Sequence, residues 1–380
     1  MDASQLDILY VVEACGGGVR RHVNYLLPEL IKRKLKCGIF AFGRRFEPTF
    51  PQDLEELQRL GCKVWSFPYE CHNIVGLPSA LKNLKAVLVE QRPKTMHLHA
   101  SVAGLIGRLA KPASPMTKIL YSPHAFAIHP SLPVAITLAT KTIERWGAKR
   151  TNAYVFVGRA EIHDANDLEL PANKFNLIEN GLPDDFEKHL LSREEARKKL
   201  NIPQDQIVGV VPCRLARQKG LPQLLEAFAL TKSTQLTLVF CGDGPEREPL
   251  KNLAKQLDVT NRTLFMGAIP GLAQFLPAFD LAILPSLYEG LSYVLLECIT
   301  AKIPLVVSDI LANIPRPELR QSVTTFTVGD QKQLAQELDA IVENPALAQE
   351  RAADAHNIAK TEFRLEEQAD RLAALYRSLF

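Results

Sequence analysis

Apolar and polar positions alternate along this chain with two different periods. Residues 6–12 form a continuous apolar run of strand length, a glycine-rich turn follows, and residues 19–34 carry apolar side chains at helical spacing. Strand-length runs followed by amphipathic stretches predict α/β architecture, with parallel sheets and crossover helices. The same unit predicts further strands at residues 37–42, 63–67, 95–99, 118–122 and 153–157, and a second series at residues 207–212, 236–241, 263–266, 281–284 and 305–308.

The two series are separated by the turn-rich sequence Asn180-Gly181-Leu182-Pro183. Asn-Gly and proline favour turns, and 380 residues exceed what one hydrophobic core usually supports. We therefore predict one domain at residues 1–180 and a second at residues 181–361. Residues 362–380 are predicted to form a C-terminal helix that can cross back to the first domain.

The net charge of +3 conceals a strong asymmetry. Residues 1–160 contain 22 Lys and Arg against 11 Asp and Glu, a net of +11, whereas the rest of the chain has 23 against 31, a net of −8. A basic first domain indicates an anionic partner, either a membrane surface or an anionic acceptor. The sequence lacks zinc-finger spacing and an aromatic RNA-binding signature, so nucleic acid is not predicted as a partner.

The cysteines and the first residues bear on the compartment. The seven cysteines are scattered without a C-x-x-C pair, which argues against a disulfide framework or a zinc site. The chain begins without a basic segment followed by a long apolar core. We expect a cytoplasmic protein, peripheral on the inner face of the cell membrane if its basic domain binds lipid. The cysteines are Cys15, Cys37, Cys62, Cys71, Cys213, Cys241 and Cys298.

Two carboxylates follow the predicted strand at residues 281–284. Glu289 and Glu297 are eight positions apart, and the helix predicted between them would offer free N–H groups to anions or hydroxyl oxygens. On one continuous helix they would lie about 12 Å apart at ~1.5 Å per residue, too far to share an atom. They therefore suit the two ends of a long ligand, although each alone also fits a surface acid.

Two cations and a glycine turn follow earlier strands of the second series. Arg214 and Lys219 flank a loop before a predicted helix, where they could bind a diphosphate and neutralise its charge as it leaves. Gly242, in Cys241-Gly242-Asp243-Gly244-Pro245, permits close backbone approach. Taken singly, exposed loop cations and an ordinary tight turn explain these features equally well.

Taken together and in this order, these sequence motifs resemble those of the retaining glycosyltransferases of family 4, also called group 1. The resemblance covers nearly the whole second domain: R-x-x-x-x-K-G, G-D-G-P, F-x-G at residues 265–267, and E-x7-E. In the first domain it rests on Gly16-Gly17-Gly18-Val19, on residues 97–108 beginning His97-Leu98-His99, and on residues 121–126. It implies the GT-B fold, in which two Rossmann-like domains have a donor/acceptor cleft between them.

The resemblance also implies roles for individual residues. Arg214 and Lys219 would hold the donor diphosphate, and Glu297 the ribose hydroxyls. Glu289 would hold the donor sugar, which His124 would reach from across the cleft. The catalytic residues would thus be His124, Glu289, Arg214 and Lys219, and the donor-binding residues would also include Gly17, Gly18, Gly242, Met266, Gly290, Leu291, Ser292 and Glu297.

The implied reaction is transfer of a hexose or N-acetylhexosamine, with retained anomeric configuration, from a nucleotide diphosphate sugar. A UDP-sugar is the expected donor, and a lipid-linked or other cell-surface glycan the expected acceptor. No cofactor or metal is expected, because the chain has no D-x-D triplet and two cations can take the metal's place.

Four other functions are alternatives, among them a non-catalytic sugar-binding module, which the retention of all the donor-site residues argues against. A soluble transferase acting on a small-molecule acceptor would use the same donor site, and a GT-B nucleotide-sugar epimerase is a weaker alternative. A dinucleotide oxidoreductase is disfavoured, because G-x-G-x-x-G would need a glycine at Arg21.

Two departures from the family pattern affect these expectations. Arg20 and Arg21 stand where relatives often have a glutamate, which indicates an anionic acceptor. Residues 309–316 replace a glycine-rich turn.

Overall fold

The computed structural model describes residues 5–43, 47, 49–68, 76–110, 116–126, 128 and 133–380. The chain divides into two compact units. Unit 1 comprises Met1–Gly181 together with Leu365–Phe380, and unit 2 comprises Leu182–Arg364. The six cysteines that lie in the described ranges are free thiols, and Cys71 lies outside those ranges.

Unit 1 is built on a parallel sheet that has seven strands in the described part of the chain. The strands are β1 Ile8–Val12, β2 Cys37–Gly43, β3 Lys63–Pro68, β4 Thr95–His99, β5 Lys118–Ser122, β6 Ala153–Phe156 and β7 Phe175–Leu177. Its helices are α1 Gly17–Lys32, α2 Phe50–Arg59, α3 Leu77–Gln91, α4 Ser101–Ala110, α5 Val134–Ala148 and α6 Arg159–Asp167, and the C-terminal helix Leu365–Leu379 also belongs to it. The strand order is β3-β2-β1-β4-β5-β6-β7, so the chain reverses direction across the sheet between β1 and β4.

Two apolar layers cover this sheet. Every residue of β1 is buried, as expected for a central parallel strand. One layer packs α1 and α2 against it together with Leu365, Ala369, Leu372 and Tyr376 of the C-terminal helix. The other layer is supplied largely by α3 and α4. The C-terminal helix is therefore part of the core of unit 1.

Unit 2 repeats the architecture with six parallel strands among its described residues. They are β8 Ile207–Val211, β9 Leu236–Cys241, β10 Thr263–Gly267, β11 Leu281–Leu284, β12 Leu305–Ser308 and β13 Thr324–Phe326. Its helices are α7 Arg193–Leu200, α8 Leu221–Ala229, α9 Arg247–Gln256, α10 Tyr293–Thr300, α11 Gln331–Glu343 and α12 Pro345–Glu362; the C-terminal helix of unit 1 is α13. The order β10-β9-β8-β11-β12-β13 reverses between β8 and β11.

These sheets confirm the predicted α/β fold class with two Rossmann-like parallel sheets. Most predicted strands differ from the observed ones by one or two residues. The three-residue strands β7 and β13 were not predicted, because so few residues carry no periodicity. Helix α1 begins at Gly17, two residues before the predicted start. Within the described ranges, no helix combines the length and apolarity needed to cross a membrane.

Candidate active site

The reversal of strand order in unit 2 brings the predicted donor residues together. Strands β8 and β11 are neighbours in the sheet although β9 and β10 lie between them in the sequence. Lys219 follows β8 and Glu289 follows β11, so both lie at the carboxyl edge of the sheet beside this switch point. Ligands of open α/β sheets bind at such points, because the loops diverge there and leave a crevice.

Lys219 and Glu289 form an ion pair at this edge, with side chains 19% and 12% exposed. Gln218 Nε2 also donates a hydrogen bond to Glu289 Oε2 at 3.2 Å, and Ser286 Oγ donates to Oε1 at 2.9 Å. Burial lowers the pKa of Lys219, but the nearby Glu289 carboxylate outweighs it and the net pKa is raised. The ammonium is therefore charged and oriented, and a bound phosphate would compete with Glu289 for it.

The glycine turn after β9 has a packing role. A Cβ on Gly242 would lie 1.9 Å from Cys213 O, and one on Gly244 would lie 2.3 Å from Leu215 O. Leu215 N–H also donates to Asp243 O at 3.0 Å. The turn thus holds the loop that carries Arg214, so the close approach predicted for Gly242 is first of all to protein backbone.

The second glutamate lies on α10, but the first does not. Helix α10 begins at Tyr293 with Ser292 as its N-cap, and the Ser292 side chain makes no capping hydrogen bond. Glu289 precedes the helix, so the interpretation that one continuous helix carries both carboxylates was wrong. Glu297 is buried, with 3% of its surface exposed. Gly290 and Leu291 are buried in the connecting turn, and Ser292 is partly exposed.

Two other predicted donor residues, Arg214 and Met266, are more exposed than Lys219 and Glu289. Arg214 is exposed in the loop after β8. Met266 is 37% exposed on β10, two strands away from β8, where Phe265 stacks on Phe240 with ring centroids 4.8 Å apart. The structure thus joins Lys219 directly to Glu289 and leaves Arg214 and Met266 facing solvent.

Sequence reasoning missed the side chains that support Glu289. Asn313, in the loop that replaces the family's glycine-rich turn, donates to Ser308 Oγ at 2.9 Å. Ser308 Oγ donates in turn to Ser286 O at 2.5 Å. Because Ser286 also bonds Glu289, this chain fixes the strand ends beneath the carboxylate. The available signal was a serine at the end of each of two neighbouring strands.

Two cavities lie at opposite edges of the sheet of unit 2. A cavity of about 530 Å³ opens near the starts of β8, β11 and β12 and includes Asp280 and Arg193, which pair with each other. A smaller one is lined by Lys219, Glu289 and Ser292. The smaller cavity, of about 10 Å³, lies at the carboxyl edge, where ligands of this fold class bind.

The glycine turn of unit 1 leaves its surface open. Gly17 has a φ of +60°, which favours glycine because a Cβ would strain the backbone. A Cβ placed on Gly17 or Gly18 would meet no described atom within 4 Å. The space over the turn is therefore open, and the ligand contacts of Gly17 and Gly18 stay a prediction; Gly17 N–H already donates to Glu47 Oε1 at 2.8 Å.

Arg20 is committed to pairs within unit 1. Its guanidinium donates to Glu47 Oε2 at 2.6 Å and to Asp53 Oδ2 at 2.5 Å, with 15% of the side chain exposed. Two carboxylates already neutralise this cation. The interpretation of Arg20 as a feature that attracts an anionic acceptor therefore loses its support.

His124 lies in a strained turn after β5. His124 and Ala125 both have positive φ, +57° and +131°, a conformation that costs about 1–3 kcal/mol per residue and concentrates at functional sites. The His124 Nε2 and His99 Nδ1 atoms are hydrogen bonded at 3.0 Å. Burial lowers the pKa of His124 well below its usual value, with a further contribution from neighbouring histidines. His124 is thus a neutral hydrogen-bonding group near neutral pH.

Comparison with known proteins supports the predicted family. The model of Glycosyltransferase Family 4 matches residues 16–186, and that of Glycosyl transferases group 1 matches residues 192–361. An alpha-D-kanosaminyltransferase from Streptomyces kanamyceticus is 25% identical, with 97% of each chain covered. A UDP-Gal:alpha-D-GlcNAc-diphosphoundecaprenol alpha-1,3-galactosyltransferase from Escherichia coli is 26% identical over 66% of this chain and 67% of that one.

A solved structure shares the fold. HepE from Anabaena, in complex with UDP and glucose, superposes with a TM-score of 0.80 at 18% identity and covers 98% of this chain and 100% of its own. The chain belongs to the family 4 (group 1) glycosyltransferases, has the GT-B fold, and is an enzyme of class EC 2.4.

Proposed function

We propose that this enzyme moves a hexose or N-acetylhexosamine from a UDP-sugar to a lipid-linked or other cell-surface glycan, with retained anomeric configuration. The Lys219–Glu289 pair at the switch point of unit 2 carries the donor half of the proposal. The name of the Escherichia coli relative gives that protein a UDP-Gal donor and an acceptor on diphosphoundecaprenol, which supports the choice of substrates. The HepE complex contains UDP and glucose, which agrees with the donor class.

Lys219 and Arg214 act on the diphosphate in this proposal. As the bond between the sugar C1 and the phosphate oxygen breaks, negative charge grows on the leaving UDP. A preorganised ammonium and guanidinium stabilise that charge without reorganising. The acceptor oxygen forms its bond to C1 on the same face, and its proton passes to the leaving phosphate. Glu289, released from Lys219 by the incoming phosphate, then accepts hydrogen bonds from the sugar hydroxyls.

Other residues complete the donor site. Glu297 is assigned to the ribose hydroxyls and the segment around Met266 to the base. His124 is assigned to the donor sugar, where a neutral imidazole could hydrogen bond without adding charge. We further propose that transfer needs no divalent metal, because Arg214 and Lys219 supply the positive charge that a metal would.

An exposed apolar segment of unit 1 supports a lipid-linked acceptor. At the start of α5, Val134 is 74% exposed, Ile136 45% and Leu138 59%. Lys149 and Arg150, at the end of the same helix, are exposed as well. A helix that exposes apolar side chains at one end and cations at the other suits the interface of an anionic bilayer. We therefore propose that unit 1 binds the inner face of the cell membrane through α5, whereas a small-molecule acceptor would give this segment no purpose.

A panel of UDP-, GDP- and ADP-sugars tests the donor assignment through thermal unfolding. A ligand that binds only the folded protein stabilises it by about 2.7 kcal/mol at 100 times its Kd, so a UDP-sugar should raise the melting temperature. Lys219→Met should abolish the shift, whereas Lys251→Met, at a partly exposed position of α9, should retain it. Failure of every nucleotide sugar to stabilise the wild-type protein would contradict the proposal.

A further inference from the structure

Unit 1 contains a three-histidine cluster, His22, His99 and His124. His22 lies on α1, His99 ends β4, and His124 follows β5, so the cluster lies where the strand order of this sheet reverses. One ring nitrogen from each histidine lies within 4.8 Å of the other two. We propose that the three-histidine cluster binds a divalent transition-metal ion, Zn²⁺ foremost, and leaves one coordination position open.

The ligand chemistry favours this class of ion. Three imidazole nitrogens with an open fourth position form a known type of zinc site, and imidazole also suits Co²⁺, Ni²⁺ and Cu²⁺. Mg²⁺ and Ca²⁺ prefer oxygen ligands and would bind poorly. The expected order of affinity thus separates this site from a carboxylate site.

The geometry needs only a small adjustment. Nitrogens bound to tetrahedral Zn²⁺ at ~2.1 Å lie roughly 3.4 Å from one another. His99 Nδ1 and His124 Nε2 are already 3.0 Å apart. The nitrogen of His22 lies within 4.8 Å of these two, so it would have to approach by about 1.4 Å at most.

The tautomer of His22 is set by a chain of hydrogen bonds. Gly181 N–H donates to Gln368 Oε1 at 3.0 Å, which orients that amide, and Gln368 Nε2 donates to Asn180 Oδ1 at 3.2 Å. His22 Nδ1 lies 3.1 Å from the same Asn180 oxygen and must be the donor to it. The proton is thus on Nδ1 and the lone pair on Nε2, as in metal sites whose ligating histidine donates its other nitrogen to an outer partner.

The hydrogen bonds of the neighbouring histidines show which of them can ligate. His99 is fully buried and would ligate through Nδ1, so its proton would lie on Nε2, which has no hydrogen-bond partner within the described ranges. His97, beside it, has both nitrogens engaged, with Tyr376 Oη at 2.5 Å and Ser122 Oγ at 3.0 Å. The candidate ligands are therefore His22, His99 and His124.

A metal in the cluster would compete with catalysis. If His124 contacts the donor sugar, an inference that rests on the proposed function, then a metal bound to its Nε2 removes that contact. Zn²⁺ should therefore inhibit transfer, and a chelator should restore it. The ion would be an inhibitor of a reaction that itself needs no metal.

The binding test uses the full chain, freed of metal by dialysis against EDTA and kept without nucleotide sugar. Wild-type protein should take up one Zn²⁺ per chain in equilibrium dialysis. With Co²⁺ it should develop the visible absorption of tetrahedral nitrogen ligation, without a thiolate charge-transfer band. Either result failing in the wild-type protein overturns the proposal, whatever the variants do.

Matched variants locate the ion. His22→Gln and His99→Gln should each weaken Zn²⁺ binding at least tenfold, whereas His163→Gln, whose side chain is 74% exposed, should not. Equal binding by all the variants would overturn the assignment. Zn²⁺ binding that leaves transfer unchanged would uphold the metal site and count against the role of His124 at the donor sugar.

Discussion

At the scale of single residues, Lys219 and Arg20 are already paired with carboxylates, which a bound anion would have to displace. Lys219 is paired with Glu289, and Arg20 with Glu47 and Asp53. Carboxylate and phosphate oxygens accept the same kind of charge-assisted hydrogen bond from an ammonium group. Lys219 can therefore exchange Glu289 for a diphosphate, whereas Arg20 would need to leave two carboxylates at once. This difference favours Lys219 as a ligand-binding cation.

Glu161 is a buried acid whose protonation should couple to the stability of unit 1. Burial raises its pKa to about 8 from 4.5, against hydrogen bonds donated by the N–H groups of Val157 and Gly158. The folded state therefore keeps a proton that the unfolded state releases above about pH 4.5. The contribution of Glu161 to stability is present at low pH and falls by about 1.4 kcal/mol per pH unit as the pH rises toward 8.

Glu161→Gln removes that titration, so the difference in unfolding free energy between wild type and variant should change between pH 5.5 and 7.5. The difference cancels the opposing contribution of the buried histidines. Urea unfolding followed by tryptophan fluorescence measures it in unit 1, because both tryptophans, Trp65 and Trp146, lie there. Glu55→Gln, on the exposed surface of α2, serves as the control. A pH-independent difference for Glu161→Gln would show that this carboxyl does not titrate abnormally.

At the scale of elements, the two glycine turns serve different purposes. The turn containing Gly242 packs against the backbone at Cys213, whereas the turn containing Gly18 borders open space. The first should tolerate no Cβ, because the clash is with backbone. The second should tolerate a Cβ in the free enzyme but not where a ligand approaches.

Gly18→Ala should accordingly leave thermal stability within about 0.5 kcal/mol of wild type while it lowers transfer. Gly242→Ala should lower both, by more than about 1 kcal/mol in stability, because the loop carrying Arg214 must move. Thermal unfolding and a transfer assay on the two variants decide between these roles. Unchanged transfer by Gly18→Ala would remove Gly17 and Gly18 from the ligand site.

Part of the fold and of the candidate site could be predicted from the sequence alone. Periodicity predicted the strands and helices around the site, and the motifs predicted Lys219 and Glu289 as donor residues. The pairing of these two could not be read from the sequence, because it depends on β8 lying beside β11. The hydrogen bonds that link Asn313 to Glu289 could not be predicted either, because they depend on where two strand ends lie relative to each other. The short strands β7 and β13 are formed by pairing with neighbours, which leaves no local pattern.

At the scale of the whole molecule, the excess of positive charge in residues 1–160 lies in unit 1. The exposed apolar start of α5 belongs to the basic part of the chain. Electrostatic attraction to anionic lipid weakens as salt shortens the Debye length to about 10 Å at 0.1 M. Apolar insertion does not weaken in this way.

Liposome flotation with vesicles containing anionic lipid should therefore bring up the wild-type protein at low salt, and less of it at high salt. The double variant Ile136→Asn/Leu138→Asn should float several-fold less, whereas Leu347→Asn, an exposed site of unit 2, should float like wild type. No flotation of wild-type protein at low salt would contradict the membrane proposal and favour a small-molecule acceptor.

We propose above all that Lys219 and Glu289 form part of a nucleotide-sugar donor site. The most direct measurement is the rate at which wild type, Lys219→Met, Glu289→Gln and the control Lys251→Met release UDP from a UDP-sugar. Loss of one preorganised charge at the leaving group should lower the rate by about 100-fold or more in Lys219→Met. Glu289→Gln should also be slow, and Lys251→Met should equal wild type. A wild-type rate in Lys219→Met would contradict the account.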